Sequence, residues 1–210
     1  MSLVGKKAPA FKAPAVINGE EIIEGFTLEQ YLGKNEVVLF FYPRDFTYVC
    51  PTEIHAFQDI LKEFKKRGVE VVGASTDTEE THLAWLMVPK AQGGIQGITF
   101  PLIADNSKTI AISFGILGGE YHYEPDGKLG FTGTPNALRA TFLIDKLGII
   151  RHEYINYYPL GRNIEETLRM VDAWQHYERK GEVCPANWEE GQEGLNATRE
   201  GVSNYLSKHG

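Results

Sequence analysis

The sequence predicts an α/β fold: a central mixed β-sheet flanked by helices, followed by an extended C-terminal tail. Three observations predict it. Short apolar runs rich in β-branched and aromatic residues, at 37–42, 69–74, 100–103 and 140–144, read as strands buried on both faces. Helical patterns alternate with those runs, the arrangement that places helices on the faces of a sheet. From Gly181 onward the chain turns polar, with only Val202, Tyr205 and Leu206 as scattered apolar positions.

The elements follow in order. After the run at 37–42, the residues Ile54, Phe57, Leu61 and Phe64 recur at helical spacing. Lys62, Lys65, Lys66 and Arg67 crowd the end before Gly68, so basic residues meet the negative pole and a glycine stops the helix. A second helix begins at Thr76-Asp77-Thr78-Glu79-Glu80, a capping-style start, and runs through Trp85 and Leu86 to Pro89. Residues 118–136 hold five glycines, two prolines and a Pro125-Asp126-Gly127 turn signal. They read as a long loop, which in a compact domain is usually functional or mobile. Tyr121, His122 and Tyr123 within it offer two readings, the lining of a substrate approach and packing on the loop surface, of which packing is the expectation. Asp145-Lys146-Leu147-Gly148 reads as a tight turn joining the last two strands as a hairpin. Ile164, Leu168, Val171, Trp174 and Tyr177 form one helical stripe.

Composition narrows the classes of function. The chain has 210 residues, 42% hydrophobic and 23% charged, the proportions of an ordinary globular protein. Its net charge of −7 is unfavourable for binding phosphate backbones, so no nucleic-acid partner is expected. No apolar run approaches the ~20 residues that span a bilayer, and the first residues have no signal-peptide core. A cytoplasmic protein without a membrane partner is the expectation. The six histidines show no metal-ligand spacing.

Cysteine usage is the sharpest signal. Only Cys50 and Cys184 are present, far apart, so neither a zinc site nor a CxxC pair can be built locally. Cys50 lies in Phe41-Tyr42-Pro43-Arg44-Asp45-Phe46-Thr47-Tyr48-Val49-Cys50-Pro51-Thr52-Glu53, which runs from the end of a buried strand into the first turn of a helix. Pro51 suits that turn, because its missing N–H had no helical partner there. A thiol at a helix N-terminus meets roughly half a positive charge and several free N–H groups. Such placement can lower a cysteine pKa from ~8.5 into the range ~3.5–7.5, and the thiolate is the reactive form. A lone cysteine is more often a small buried hydrophobe. Here Thr47 offers a hydroxyl nearby and Pro43 offers a wall without a competing donor.

Pro43-x-x-x-Thr47-x-x-Cys50, within Phe40-Phe41-Tyr42-Pro43 and Val49-Cys50-Pro51-Thr52-Glu53, resembles the active-site motif of the peroxiredoxins. Gly181-Glu182-Val183-Cys184-Pro185-Ala186-Asn187-Trp188 resembles the resolving-cysteine segment of the typical two-cysteine subgroup, which includes bacterial alkyl hydroperoxide reductases. The resemblance extends through His82-Leu83-Ala84-Trp85, 100–105 and 138–145. It implies a thioredoxin-like fold, with a peroxidase domain at 1–160 and a C-terminal helix and tail at 161–210 carrying the resolving cysteine. It implies that Cys50 attacks hydrogen peroxide or an alkyl hydroperoxide and becomes a sulfenic acid. Arg139 would hold thiolate and peroxide together, Thr47 would donate to the peroxide or relay a proton, and Pro43 would shield the sulfenate. Glu53 would orient an arginine.

Cys184 of the partner subunit would then form an intersubunit disulfide. A disulfide needs Cα atoms ~4.4–6.8 Å apart, so the first helical turn is expected to unwind. A thioredoxin-like or flavoprotein reductase would recycle the enzyme, with no cofactor of its own, in homodimers that assemble into a ring, a decamer. Gly93-Gly94-Ile95-Gln96-Gly97 and Asn204-Tyr205-Leu206-Ser207 are altered forms of the segments that make some members prone to overoxidation, so intermediate sensitivity is expected. Two rival readings remain at this point. A thioredoxin-like disulfide oxidoreductase lacks its CxxC here, and a holdase chaperone or scaffold fits the ring assembly that the resemblance implies; peroxide consumption that survives Cys50→Ser would favour these rivals.

Overall fold

The computed structural model describes residues 2–209 and divides into two compact units, 1–164 and 165–210. Unit one is built on a seven-stranded sheet. Its strands in chain order are β1 (Ala13–Ile17), β2 (Glu21–Phe26), β3 (Glu36–Phe41), β4 (Val69–Ser75), β5 (Leu102–Ala104), β8 (Arg139–Ile144) and β9 (Ile150–Asn156). The order across the sheet is β2-β1-β5-β4-β3-β8-β9. The β3–β4 and β4–β5 pairs are parallel and the others antiparallel, so the sheet is mixed, as its central apolar runs require.

Central position explains composition. Every residue of β3 and β8 is buried, and even Glu36 and Arg139 lie inside. Phe41, Phe114 and Phe142 meet edge to face or tilted at 4.9–6.1 Å, geometry that adds to their burial. Edge strands are less apolar. β1 and β2 turn through Asn18-Gly19, both at positive φ (55° and 78°), the backbone of a tight hairpin that glycine and asparagine accommodate. The expected strands left this hairpin out. The Asp145–Gly148 turn does join β8 to β9, with Asp145 Oδ1 accepting from the N–H groups of Leu147 and Ile149 at 2.8 Å.

The expected helices form with one break. α1 (Cys50–Asp59) and α2 (Leu61–Lys66) are separated at Ile60, whose φ of −108° interrupts a single apolar stripe. α3 (Glu79–Leu86) starts at Thr78, whose hydroxyl accepts from the Thr81 N–H. α4 (Thr109–Ser113) follows β5, with Asp105 accepting from the N–H groups of Ile110 and Ala111.

The segment 118–136 is not a loop. It forms an antiparallel hairpin of β6 (Leu117–Tyr123) and β7 (Leu129–Ala137), separate from the main sheet. The turn signal at Pro125-Asp126-Gly127 sits at its tip, and the glycines serve the pairing. A Cβ on Gly119 would lie 2.3 Å from the Thr132 carbonyl oxygen, so only glycine permits this approach. Tyr121 faces Phe131 across the pair, and their rings pack at 4.8 Å.

Unit two contains α5 (Ile164–Lys180, whose first residue belongs to unit one), α6 (Arg199–His209) and the segment between them. That segment is ordered by a bridge between Val183 and Leu195. The buried Trp188 rests against the His176 ring at 4.8 Å, and its carbonyl accepts from Arg169. The polar tail thus has a helix and a small internal anchor of its own. Among the described residues no helix is long and apolar enough to cross a membrane, and no cluster of three or more His, Cys, Asp or Glu could hold a metal ion.

Candidate active site

Cys50 is the first residue of α1, and the chain reaches it from the end of β3 through the loop at 43–49. The loop is pinned from below by a buried polar cluster. Asp45 accepts from the Tyr42 hydroxyl at 2.9 Å and lies 2.7 Å from His82 Nδ1, while its own N–H donates to Asp77 at 2.8 Å. His82 Nε2 faces the Ile103 carbonyl at 3.1 Å. His82 is thus hydrogen-bonded at both ring nitrogens. Burial alone would lower its pKa, but the Asp45 hydrogen bond and charge, with the Ile103 carbonyl, outweigh burial and raise it. This anchoring supports Phe46, which adopts a left-handed φ of 53° and lays its ring 5.7 Å from that of Trp85. A strained non-glycine residue is maintained only where its surroundings over-determine it.

The Cys50 thiol is free and fully buried. Arg139, the first residue of β8, donates from Nη1 to Sγ at 3.4 Å and to Glu53 Oε2 at 2.7 Å. Its Nε donates to the Tyr158 carbonyl at 2.7 Å, which fixes the plane of the guanidinium. Glu53 stands one turn along α1 from Cys50 and holds a second arginine. Arg162 donates to Glu53 from its backbone N–H, from Nε and from Nη2, at 2.8–2.9 Å. Its Nη1 reaches the Phe41 and Ala140 carbonyls and the Thr141 hydroxyl.

Two buried guanidinium groups thus share one carboxylate, and one positive charge is left uncompensated beside the sulfur. In a water-poor setting that charge stabilises negative charge that develops on an incoming oxidant.

The sequence-predicted residues Pro43, Thr47, Cys50, Glu53 and Arg139 therefore come together in unit one. The Thr47 hydroxyl donates to the Arg44 carbonyl at 2.8 Å, so its oxygen presents lone pairs rather than a free proton. Pro43, Thr47, Val49, Arg139, Thr134, Asn136, Tyr158 and Pro159 border a cleft of about 470 Å³ over this cluster. Tyr121, His122 and Tyr123 do not border it. Sequence reasoning missed Arg162, which no local pattern marks, and it missed the Asp45–His82 pair.

Cys184 lies in unit two, partly buried, with Sγ 3.5 Å from the Ala173 carbonyl oxygen. Burial pushes its thiol pKa up, Arg169 opposes this and Glu182 adds to it. The remaining histidine on α1, His55, is buried with Nε2 on the Gly94 carbonyl at 3.0 Å, away from any role as a base for Cys50.

Comparisons with known proteins establish the family. The AhpC/TSA family pattern matches residues 4–153, and that of the C-terminal domain of 1-Cys peroxiredoxin matches 173–208. The chain is 48% identical over 207 residues to an alkyl hydroperoxide reductase C of Helicobacter pylori, covering 99% of this chain and 98% of that one. It is 41% identical over 206 residues to peroxiredoxin-2 of Mus musculus, covering 98% and 96%. The reduced crystal structure of Plasmodium vivax 2-Cys peroxiredoxin superposes with a TM-score of 0.88 at 42% identity, covering 99% of this chain and all of that one. A fold that sets a cysteine at a helix start under an arginine, with such relatives along its whole length, makes the chain a member of the AhpC/TSA family of peroxiredoxins, with their thioredoxin-like fold.

Proposed function

We propose that the protein is a thiol-dependent peroxidase that reduces hydrogen peroxide and alkyl hydroperoxides through Cys50. The observation that carries this reading is the buried Cys50 sulfur under the Arg139 guanidinium, which Glu53 and the Tyr158 carbonyl hold in place. The Cys50 thiolate attacks the terminal peroxide oxygen. An S–O bond forms as the O–O bond breaks, and the electron pair leaves with the second oxygen, which takes a proton and departs as water or an alcohol. Negative charge spreads over sulfur and two oxygens, where Arg139 stabilises it. Thr47 accepts from the peroxide O–H and so orients it, and Pro43 walls off water from the sulfenate.

The sulfenic acid is resolved by Cys184 of the partner subunit, which attacks the Cys50 sulfur, displaces water and leaves an intersubunit disulfide. Burial raises the Cys184 pKa, in keeping with a thiol that meets the sulfenic acid rather than the oxidant. Resolution requires Cys50 to leave its pocket. The start of α1 favours this, since Val49 at the cap makes no side-chain hydrogen bond to hold the first turn.

In this reading residues 1–160 form the peroxidase domain and 161–210 deliver the resolving cysteine. The protein works in the cytoplasm as homodimers assembled into a decameric ring. A thioredoxin-like or flavoprotein disulfide reductase restores the thiols. The test is peroxide consumption with dithiothreitol as reductant: wild type turns over, Cys50→Ser does not, and turnover by that variant would overturn the reading.

A further inference from the structure

We propose that the β6–β7 hairpin is the selectivity wall of the peroxide cleft, with Thr134 and Asn136 shaping it for hydroperoxides that carry an apolar tail. The inference rests on the thiol-peroxidase reading of Cys50 and adds the part of the molecule that chooses the substrate. β7 does not belong to the main sheet, yet its Thr134 and Asn136 border the same cleft as Thr47 and Arg139.

Tyr158 explains how the hairpin is held there. Its hydroxyl donates to the Asn136 carbonyl at 3.2 Å, while its carbonyl accepts from Arg139 Nε at 2.7 Å. One residue thus ties the wall to the guanidinium that meets the peroxide. Gly118 makes room for it, since a Cβ there would lie 1.7 Å from the Tyr158 hydroxyl oxygen.

Size and lining name the substrate class. A cleft of about 470 Å³ falls in the range of pockets that enclose organic ligands, ~300–1,000 Å³, whereas hydrogen peroxide has only two heavy atoms to place. Pro43, Val49, Pro159 and the Tyr158 ring offer apolar surface that hydrogen peroxide cannot use. A tail packed against it gains about fourfold in affinity per buried methylene.

The experiment compares kcat/KM for cumene hydroperoxide and for hydrogen peroxide in wild type, Thr134→Trp and Tyr158→Phe. Thr134→Trp fills the cleft, and the ratio of the two constants is expected to fall at least tenfold, mainly through KM for cumene hydroperoxide. Tyr158→Phe removes one hydroxyl, keeps the carbonyl on Arg139 and is expected to lower the ratio about threefold. Ratios within twofold of wild type in both variants would overturn the wall while leaving the peroxidase standing. A wild type that consumes neither peroxide would overturn the peroxidase reading itself.

Discussion

Arg139 is worth more to this site than its charge. Its Nη1 bridges Cys50 and Glu53 while Nε is held by Tyr158, a fork that a lysine ammonium cannot reproduce. Arg139→Gln is predicted to slow sulfenate formation about 10²–10³-fold, the usual cost of one preorganised donor. Arg139→Lys is predicted to recover only part of this. Stopped-flow measurement of the first turnover checks both, and a lysine variant as fast as wild type would show that charge alone suffices. Glu53 carries the complementary load. Glu53→Gln leaves two buried guanidinium groups without a counter-charge, and a broken buried pair costs about 3–5 kcal/mol. A clear fall in the chemical denaturation midpoint is predicted, together with slower reaction at Cys50.

At the scale of elements, the loop at 43–49 holds its shape because the Asp45–His82 pair fastens it. The His82 pKa is raised in the fold above its ordinary value near 6.5. A raised folded pKa means that the contribution to stability is fully present below the unfolded pKa and is lost as pH rises through the folded one. The thermal stability gap between wild type and His82→Gln is therefore predicted to be widest below about pH 6.5 and to narrow in alkaline solution. Calorimetry over that range measures it, and a gap that widens with pH would contradict a raised His82 pKa.

What the sequence discloses also sorts by element. The central strands are legible because burial on both faces leaves uninterrupted apolar runs, and the cysteine loop is legible because Pro43, Thr47, Cys50 and Glu53 lie within one short stretch. The β6–β7 hairpin is hidden because the glycines that permit its close pairing read as loop residues, although Tyr121, Tyr123, Leu129 and Phe131 keep a period of two. The β1–β2 hairpin carried its own signal in Asn18-Gly19, with apolar pairs at 16–17 before it and 22–23 beyond two glutamates. Arg162 and the Asp45–His82 pair are illegible for a different reason. Each is a polar residue whose partner lies many positions away, and only the folded sheet brings α1, β8 and the chain before α5 to one point.

At the scale of the whole molecule, one cysteine lies in unit one and the other in unit two, so the proposed cycle needs both parts of the chain and two chains. The most direct test is non-reducing electrophoresis after one equivalent of hydrogen peroxide, on wild type, Cys50→Ser and Cys184→Ser. Wild type is predicted to shift to a covalent dimer that dithiothreitol reverses, and both variants are predicted to stay monomeric, with Cys184→Ser gaining one oxygen at Cys50 by mass. A covalent dimer in either variant, or oxidation first at Cys184, would contradict the division of roles between the two cysteines.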